Sequence, residues 1–212
     1  MKISIIVDNP SWIIPHAELI VDELVVRGYE ARFYSNYNDV EKGDIAFYLG
    51  CLNITPKEVL SLNTHNLVVH ASDLPKGRGF SPWAYDVLAG KDELTVCLIA
   101  MDHPVDSGAI YIKEKISLTG TELVDKLRQL LGEKTVQLCL HFVENHQNME
   151  PMPQKGEASF LVRRGPEDSE LDVKKSIQEQ FNLLRIVDNE KYPAFFVYNG
   201  MKYKISITEV ED

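Results

Sequence analysis

With 212 residues, 44% hydrophobic and 25% charged, the chain is sized for one globular domain with a small appendage. Its 32 acidic against 22 basic side chains leave a net charge of −10, which disfavours DNA or tRNA as a partner, because phosphate neutralisation supplies most of that affinity. No apolar run approaches the roughly 18 residues of a membrane span and no secretory leader is visible, so a cytoplasmic protein without membrane association is expected.

The elements follow from periodicity and punctuation. Ile3-Ser-Ile-Ile-Val7 is a short β-branched run bounded by Asp8-Asn9-Pro10, the pattern of a buried strand. From Pro15 to Arg27 apolar residues recur at helical spacing and stop at Gly28. Strands are expected over 30–34, 45–49 and 67–69, with a helix over 56–62 between the last two. Alternating strands and helices imply an α/β fold, a Rossmann-like and mainly parallel sheet with helices on both faces.

A helix is expected over 81–89, with Pro82 near its start and Gly90 after it. Strands over 94–101 and 109–116, joined by Asp102–Gly108, suggest a mixed addition to the sheet. The longest helical pattern runs from Thr121 to Glu144, with Thr119 and Thr121 as candidate caps. These elements form a core over 1–145. The polar stretch 146–156, with Pro151 and Pro153, reads as a linker to a small α+β extension over 146–212. That extension contains a strand over 159–162, a helix over 173–186 and a hairpin around Asn199-Gly200.

Two features carry chemistry. His70 closes an apolar strand and opens the loop Ala-Ser-Asp-Leu-Pro-Lys-Gly-Arg-Gly79, and ligands of open α/β sheets bind outside the carboxyl ends of strands. Asp106, in Val105-Asp-Ser-Gly108, is on its own a turn residue that bonds its own backbone. A carboxylate beside an imidazole orients the ring and favours its charged form. Cys51, Cys97 and Cys139 are an odd number in apolar surroundings and read as buried, reduced thiols. No metal-ligand spacing is present. Lys76 and Arg78 with Arg163 and Arg164 form a local basic group, sufficient to hold a pyrophosphate.

The string His-x-Ser-x-Leu-Pro-x-x-Arg-Gly from His70 to Gly79, followed by Asp106-Ser-Gly108, resembles the formyltransferases that use N10-formyltetrahydrofolate. The resemblance covers roughly residues 1–118. It implies His70 and Asp106 as catalytic residues. It places folate, without a metal, at Cys51, Leu52, Asn53 and Ile54 and at Met101, Asp102, His103 and Val105. Segments 160–172 and 181–196 resemble the tails of members that formylate nucleotide-linked amino sugars, including the pseudaminic-acid type. A 4-amino-4,6-dideoxy sugar is the expected acceptor, with Asn9, Ser11, Trp12, Ser72, Lys76 and Arg78 as candidate acceptor contacts. The ordinary alternative for Trp12 is a partly buried anchor, and for the tail an amphipathic helix and hairpin that complete the core or form a homodimer.

One departure from the resemblance stands out. Family members carry an asparagine two residues before the histidine, where it donates to the oxyanion; this chain has Val68. Losing one such donor typically costs about 10²–10³ in rate. Asn66, Asn53, Ser72, His103, a substrate group or a water are candidate replacements. Two other readings stay open: a glycinamide ribonucleotide formyltransferase, disfavoured because the 8–12 loop has no glycine, and a binding module that has lost catalysis.

Overall fold

The computed structural model describes residues 1–210. In chain order the elements are β1 (Lys2–Ile6), α1 (Ile14–Val26), β2 (Glu30–Tyr34), β3 (Gly43–Tyr48), α2 (Lys57–Leu60), β4 (Asn63–His70) and β5 (Arg78–Gly79). There follow α3 (Pro82–Leu88), β6 (Glu93–Ala100), β7 (Ile110–Ser117), α4 (Val124–Asn145), β8 (Phe160–Leu161), α5 (Ile177–Ile186), β9 (Ala194–Tyr198) and β10 (Met201–Ile205). Six strands form the main sheet in the order β2-β1-β3-β4-β6-β7. The first four are parallel; β6 runs antiparallel to β4, and β7 antiparallel to β6. This is the Rossmann-like α/β architecture expected from the alternation of elements.

Ile3, Ser4, Ile5 and Ile6 of β1 are all buried, as a central parallel strand covered on both faces requires. On one face α1, α3 and α4 pack Ile20, Leu24, Val87, Leu127, Leu138 and Phe142 against Ile5, Phe47, Leu67 and Leu98. Each such side chain contributes roughly 1.5–3 kcal/mol through burial. The other face is covered more thinly. Ile6, Ala46 and Tyr48 meet Tyr37, Val59 and Leu60, while Cys97, Ile99 and Ile110 are covered by Leu74 from the loop after β4. That thin cover leaves room for a site. Among the described residues no helix is long and apolar enough to cross a membrane.

Several expected boundaries shift. The helix expected over 56–62 is a single turn, because β4 starts at Asn63 rather than Leu67. Asn63, His65 and Asn66 pair with β3 despite their polarity; Asn66 Nδ2 donates to the carbonyls of Leu60 and Asn63 at 2.8 and 3.3 Å. Thr119 and Thr121 do not cap α4, whose first helical residue is Val124. The Glu122 carboxylate turns back instead to accept the Thr119 and Gly120 amides and the Thr119 hydroxyl. The helix expected over 173–186 begins at Ile177, where Ser176 and Glu179 close a capping box. Residues 146–156 are pinned rather than a free linker: Ile110 and Met152 exchange both backbone hydrogen bonds at 2.8 Å.

The C-terminal elements dock on the core. β8 pairs in parallel with β5, and Leu171, Leu184, Val187 and Ala194 form a separate apolar cluster. The β9–β10 hairpin turns through Asn199 and Gly200 at φ of +48° and +79°, the conformation Asn-Gly favours. Arg185, 1% exposed, donates to Glu122 Oε2 at 2.9 Å and to its carbonyl at 3.2 Å. Burial pushes the Glu122 carboxyl upward, but the hydrogen bonds from the 119–120 turn outweigh it and hold the group down at about 2.

Glu122 therefore stabilises the fold above its ordinary value of 4.5, and that contribution fades as pH falls from there toward about 2. Arg185→Ala leaves the carboxylate buried without its cation, so urea denaturation at pH 7 should show a loss of about 3–5 kcal/mol. A loss below about 1 kcal/mol would mean that the pair is not what docks α5.

Candidate active site

His70 is the last residue of β4, and like Val68 its side chain lies on the thinly covered face. Buried Leu74 folds the following loop back over that face. The fold-back carries the Gly77 carbonyl to 2.8 Å from His70 Nε2. A carbonyl only accepts, so Nε2 carries a proton. Nδ1 faces Asp106 Oδ2 at 3.6 Å, a charge contact longer than a hydrogen bond. His70 and Asp106 side chains are 7% and 9% exposed, so each meets little screening water.

Asp106 sits at φ +59°, a left-handed conformation that aspartate tolerates better than most residues. Its Oδ2 also accepts the Gly79 amide at 2.9 Å. Two residues on, Gly108 passes so close to β6 that a Cβ there would lie 1.7 Å from the Ala100 carbonyl oxygen. That close approach lets the 101–109 connection aim Asp106 at His70.

The two segments expected at folate share an apolar cluster: Cys51 and Met101, together with Val68, pack against the group of Ile6, Val40, Ala46 and Tyr48. Leu52, Ile54 and Val105 are 48%, 70% and 54% exposed, and Asp102 and His103 are also exposed. Asp8, at the end of β1, organises the first segment. It accepts the Leu52 and Asn53 amides at 2.8 and 2.9 Å and the Asn53 side chain at 2.8 Å. Burial pushes the Asp8 carboxyl up, but hydrogen bonds from Asn9, Leu52 and Asn53 outweigh it and hold the group below its usual range. Burial, with Asp8 nearby, pushes the Cys51 thiol up to about 12, so it offers no thiolate at neutral pH. Burial also raises the Cys97 thiol, to about 11.

The acceptor candidates divide. Asn9 gives its amide to the Gly50 carbonyl at 2.8 Å, Trp12 packs on the main core, and the Ser72 hydroxyl is buried without a hydrogen-bond partner. Ser11 lies against Gly50, whose added Cβ would meet its Oγ at 3.6 Å. Lys76 is exposed. Arg78 has no carboxylate within ion-pairing distance among the described residues; its guanidinium lies 6.0 Å from the Phe160 ring centroid and its Nε is buried unpartnered. Arg163 lies 6.0 Å from the Phe80 ring centroid, and Arg164 donates to the Asp168 carbonyl.

Val68 joins two apolar clusters and offers no hydrogen bond. Asn66 is spent on Leu60 and Asn63, and Asn53 is clamped by Asp8. The His103 ring makes no hydrogen bond among the described residues. Sequence reasoning missed Asp8 and Gln154. Asp8 carried a signal, a carboxylate at a strand's carboxyl end; Gln154 carried none. Gln154 donates to the carbonyls of Asp106 and Gly108 and accepts from Arg78. No group of three or more His, Cys, Asp or Glu among the described residues is placed to hold a metal ion.

Residues 27–143, more than half of the chain, match the family model described as formyl transferase. The chain belongs to the formyl transferase family. Methionyl-tRNA formyltransferase of Thermus thermophilus is 31% identical over 153 residues, which are 71% of this chain and 50% of that relative. The chain spans about half the length of the curated relatives it matches. Among solved structures, a methionyl-tRNA formyltransferase from Clostridium thermocellum aligns with TM-score 0.83 at 23% identity, covering 100% of this chain and 94% of that one. A 4-N formyltransferase from Francisella tularensis aligns with TM-score 0.76 at 18% identity, covering 100% and 98%. At these identities the structural likeness establishes the fold.

The segment around residues 51–54 presents exposed Leu52 and Ile54 on backbone that Asp8 holds in place, and Val105 of the other segment is exposed as well. The close approach at Gly108 is directly testable. Gly108→Ala should cost about 3 kcal/mol or more in chemical denaturation, because the clash is with backbone. Gly120→Ala, whose Cβ meets nothing within 4 Å but whose φ of +91° is unfavourable for a side chain, should cost less, about 1–2 kcal/mol. Equal losses would contradict the steric role of Gly108.

Proposed function

We propose that the protein transfers a formyl group from N10-formyltetrahydrofolate to the exocyclic amine of a nucleotide-linked amino sugar, with a 4-amino-4,6-dideoxy sugar as the acceptor. The observation that carries the formyl-transfer reading is the buried His70–Asp106 contact at the strand end, beside a folate-compatible loop pair. Folate supplies an activated one-carbon unit at the formyl oxidation level. A bond forms between the acceptor nitrogen and the formyl carbon, and the bond from that carbon to N10 breaks.

This chain's residues handle protons and charge. His70 Nε2–H, now on the Gly77 carbonyl, is the donor that a developing oxyanion would take over. Asp106 accepts the proton lost by the acceptor amine, directly or through a water, and N10 takes up one proton as its bond to the formyl carbon breaks. His103, exposed on the 101–109 connection, and Ser72, whose hydroxyl has no partner, are the side chains left for the donation that Val68 cannot make. Arg78, with no carboxylate partner, and Lys76 and Arg163 suit the acceptor's phosphates.

The sugar acceptor is supported by the net charge of −10, unfavourable for an RNA polyanion, with Arg78 tied through Gln154 to the Asp106 turn. Likeness to the Francisella enzyme along the whole chain is consistent with it. A second reading, methionyl-tRNA as acceptor, is favoured by the 31% identical relative. Mass spectrometry of reactions with UDP- or dTDP-linked 4-amino sugars, and with methionyl-tRNA, separates the two. A formyl mass increment on a sugar nucleotide is expected; an increment only on methionyl-tRNA would overturn the sugar assignment. His70→Asn and Asp106→Asn should each lower kcat about 10²–10⁴-fold without loss of folding. Near-normal turnover in either would remove that residue from the reaction.

A further inference from the structure

Gln154 lies outside every motif, on the stretch that follows α4. The stretch is held two residues earlier, where Met152 and Ile110 exchange their backbone hydrogen bonds. From there the Gln154 side chain reaches the turn that carries Asp106. Nε2 donates to the Asp106 carbonyl at 2.8 Å and to the Gly108 carbonyl at 2.9 Å, while Oε1 accepts Arg78 Nη2 at 2.6 Å. Two acceptors on one side and a guanidinium donor on the other admit only this orientation of the amide.

The arrangement grips one residue from two directions. Gly79 donates its amide to the Asp106 side chain. Its neighbour Arg78 holds the Asp106 backbone through Gln154. The carbonyls of residues 106 and 108 lie in the peptide planes that follow those two residues, so a single NH₂ group that bonds both fixes the turn from the left-handed Asp106 to Gly108. Rotating Asp106 out of that conformation breaks both bonds and leaves partly buried carbonyls without partners. The same rotation pulls Oδ2 away from His70 Nδ1 and from the Gly79 amide.

We propose that Gln154 is a positioning residue for the reaction: it locks the Asp106 turn so that the carboxylate stays on His70, and Arg78 orients Gln154. The proposal rests on the reading of Asp106 as part of the formyl-transfer site. Gln154 touches neither folate nor acceptor in this role. It acts through Asp106.

The test uses the full chain with Gln154→Ala and Gln154→Glu, and one readout that needs no substrate. Glutamate keeps the acceptor for Arg78 but turns an acceptor toward two carbonyls, so it breaks the lock without removing the side chain. Hydrogen exchange of the Gly79 amide, followed by NMR, reports whether Asp106 Oδ2 still accepts from it. In both variants Gly79 should exchange at least about tenfold faster than in the unmodified protein, with core amides such as Leu67 unchanged. Formyl transfer should show kcat down by about tenfold or more with KM for folate within about threefold; acceptor KM does not enter the criterion, because both variants also change the partner of Arg78.

If one variant does not fold, the other decides. Wild-type protection of Gly79 in a folded variant overturns the proposal, and so does lost protection with kcat unchanged. If the unmodified protein formylates no acceptor, the Gly79 readout still decides whether Gln154 holds the turn. That outcome counts against the functional reading alone.

Discussion

A single carboxylate oxygen, Oδ2 of Asp106, ties the site together. It lies 3.6 Å from His70 Nδ1 and accepts the Gly79 amide at 2.9 Å, so it joins the carboxyl end of β4, the fold-back loop and the β6–β7 connection. Each arm reaches it for a different physical reason. The β4 arm arrives because Leu67 and Val69 are packed into the helical face, which turns Val68 and His70 to the other. The fold-back loop arrives because Leu74 is buried over Cys97, Ile99 and Ile110. The β6–β7 connection arrives because Gly108 permits backbone contact with Ala100. Remove any of these and the carboxylate and the imidazole part.

The surrounding electrostatics follow from burial. The cysteines around the sheet are poor nucleophiles: burial raises the Cys51 and Cys97 thiols to about 12 and about 11 and pushes Cys139 up as well. Covalent catalysis at a thiol would work against that, whereas proton handling by an imidazole and a carboxylate does not. Among the described residues Arg78 has no carboxylate partner, whereas Arg27, Arg32, Arg128 and Arg185 are paired, which supports the proposal that Arg78 binds the acceptor's phosphates. Elsewhere charge works structurally: Arg185 and Glu122 neutralise each other in the interior and fasten α5 to the turn before α4.

Much of this was legible in the sequence. Apolar periodicity located the sheet strands and the long helices, Asn199-Gly200 marked the hairpin, and the spacing from His70 to Gly79 and on to Asp106 brought both residues of the contact into view. What stayed hidden is physical rather than accidental. β4 was read short because Asn63, His65 and Asn66 are polar; Asn66 finds its partners in the Leu60 and Asn63 carbonyls, which only the fold supplies. Thr119 looked like a cap because its competing acceptor, Glu122, is drawn inward by Arg185, 63 residues away in the chain. Gln154 looked like linker because its three hydrogen bonds all go to residues at least 46 positions distant. Asp8 was read as punctuation after a strand, though it clamps a loop more than 40 residues on.

The most direct measurement is a crystal structure of the protein with tetrahydrofolate bound. If the His70–Asp106 contact is where the formyl group is transferred, N10 will sit about 3–4 Å from one of those two side chains, with the pterin between the segments at 51–54 and 101–105. Folate bound on the helical face, or with N10 beyond hydrogen-bonding reach of both His70 and Asp106 even through one water, would contradict it.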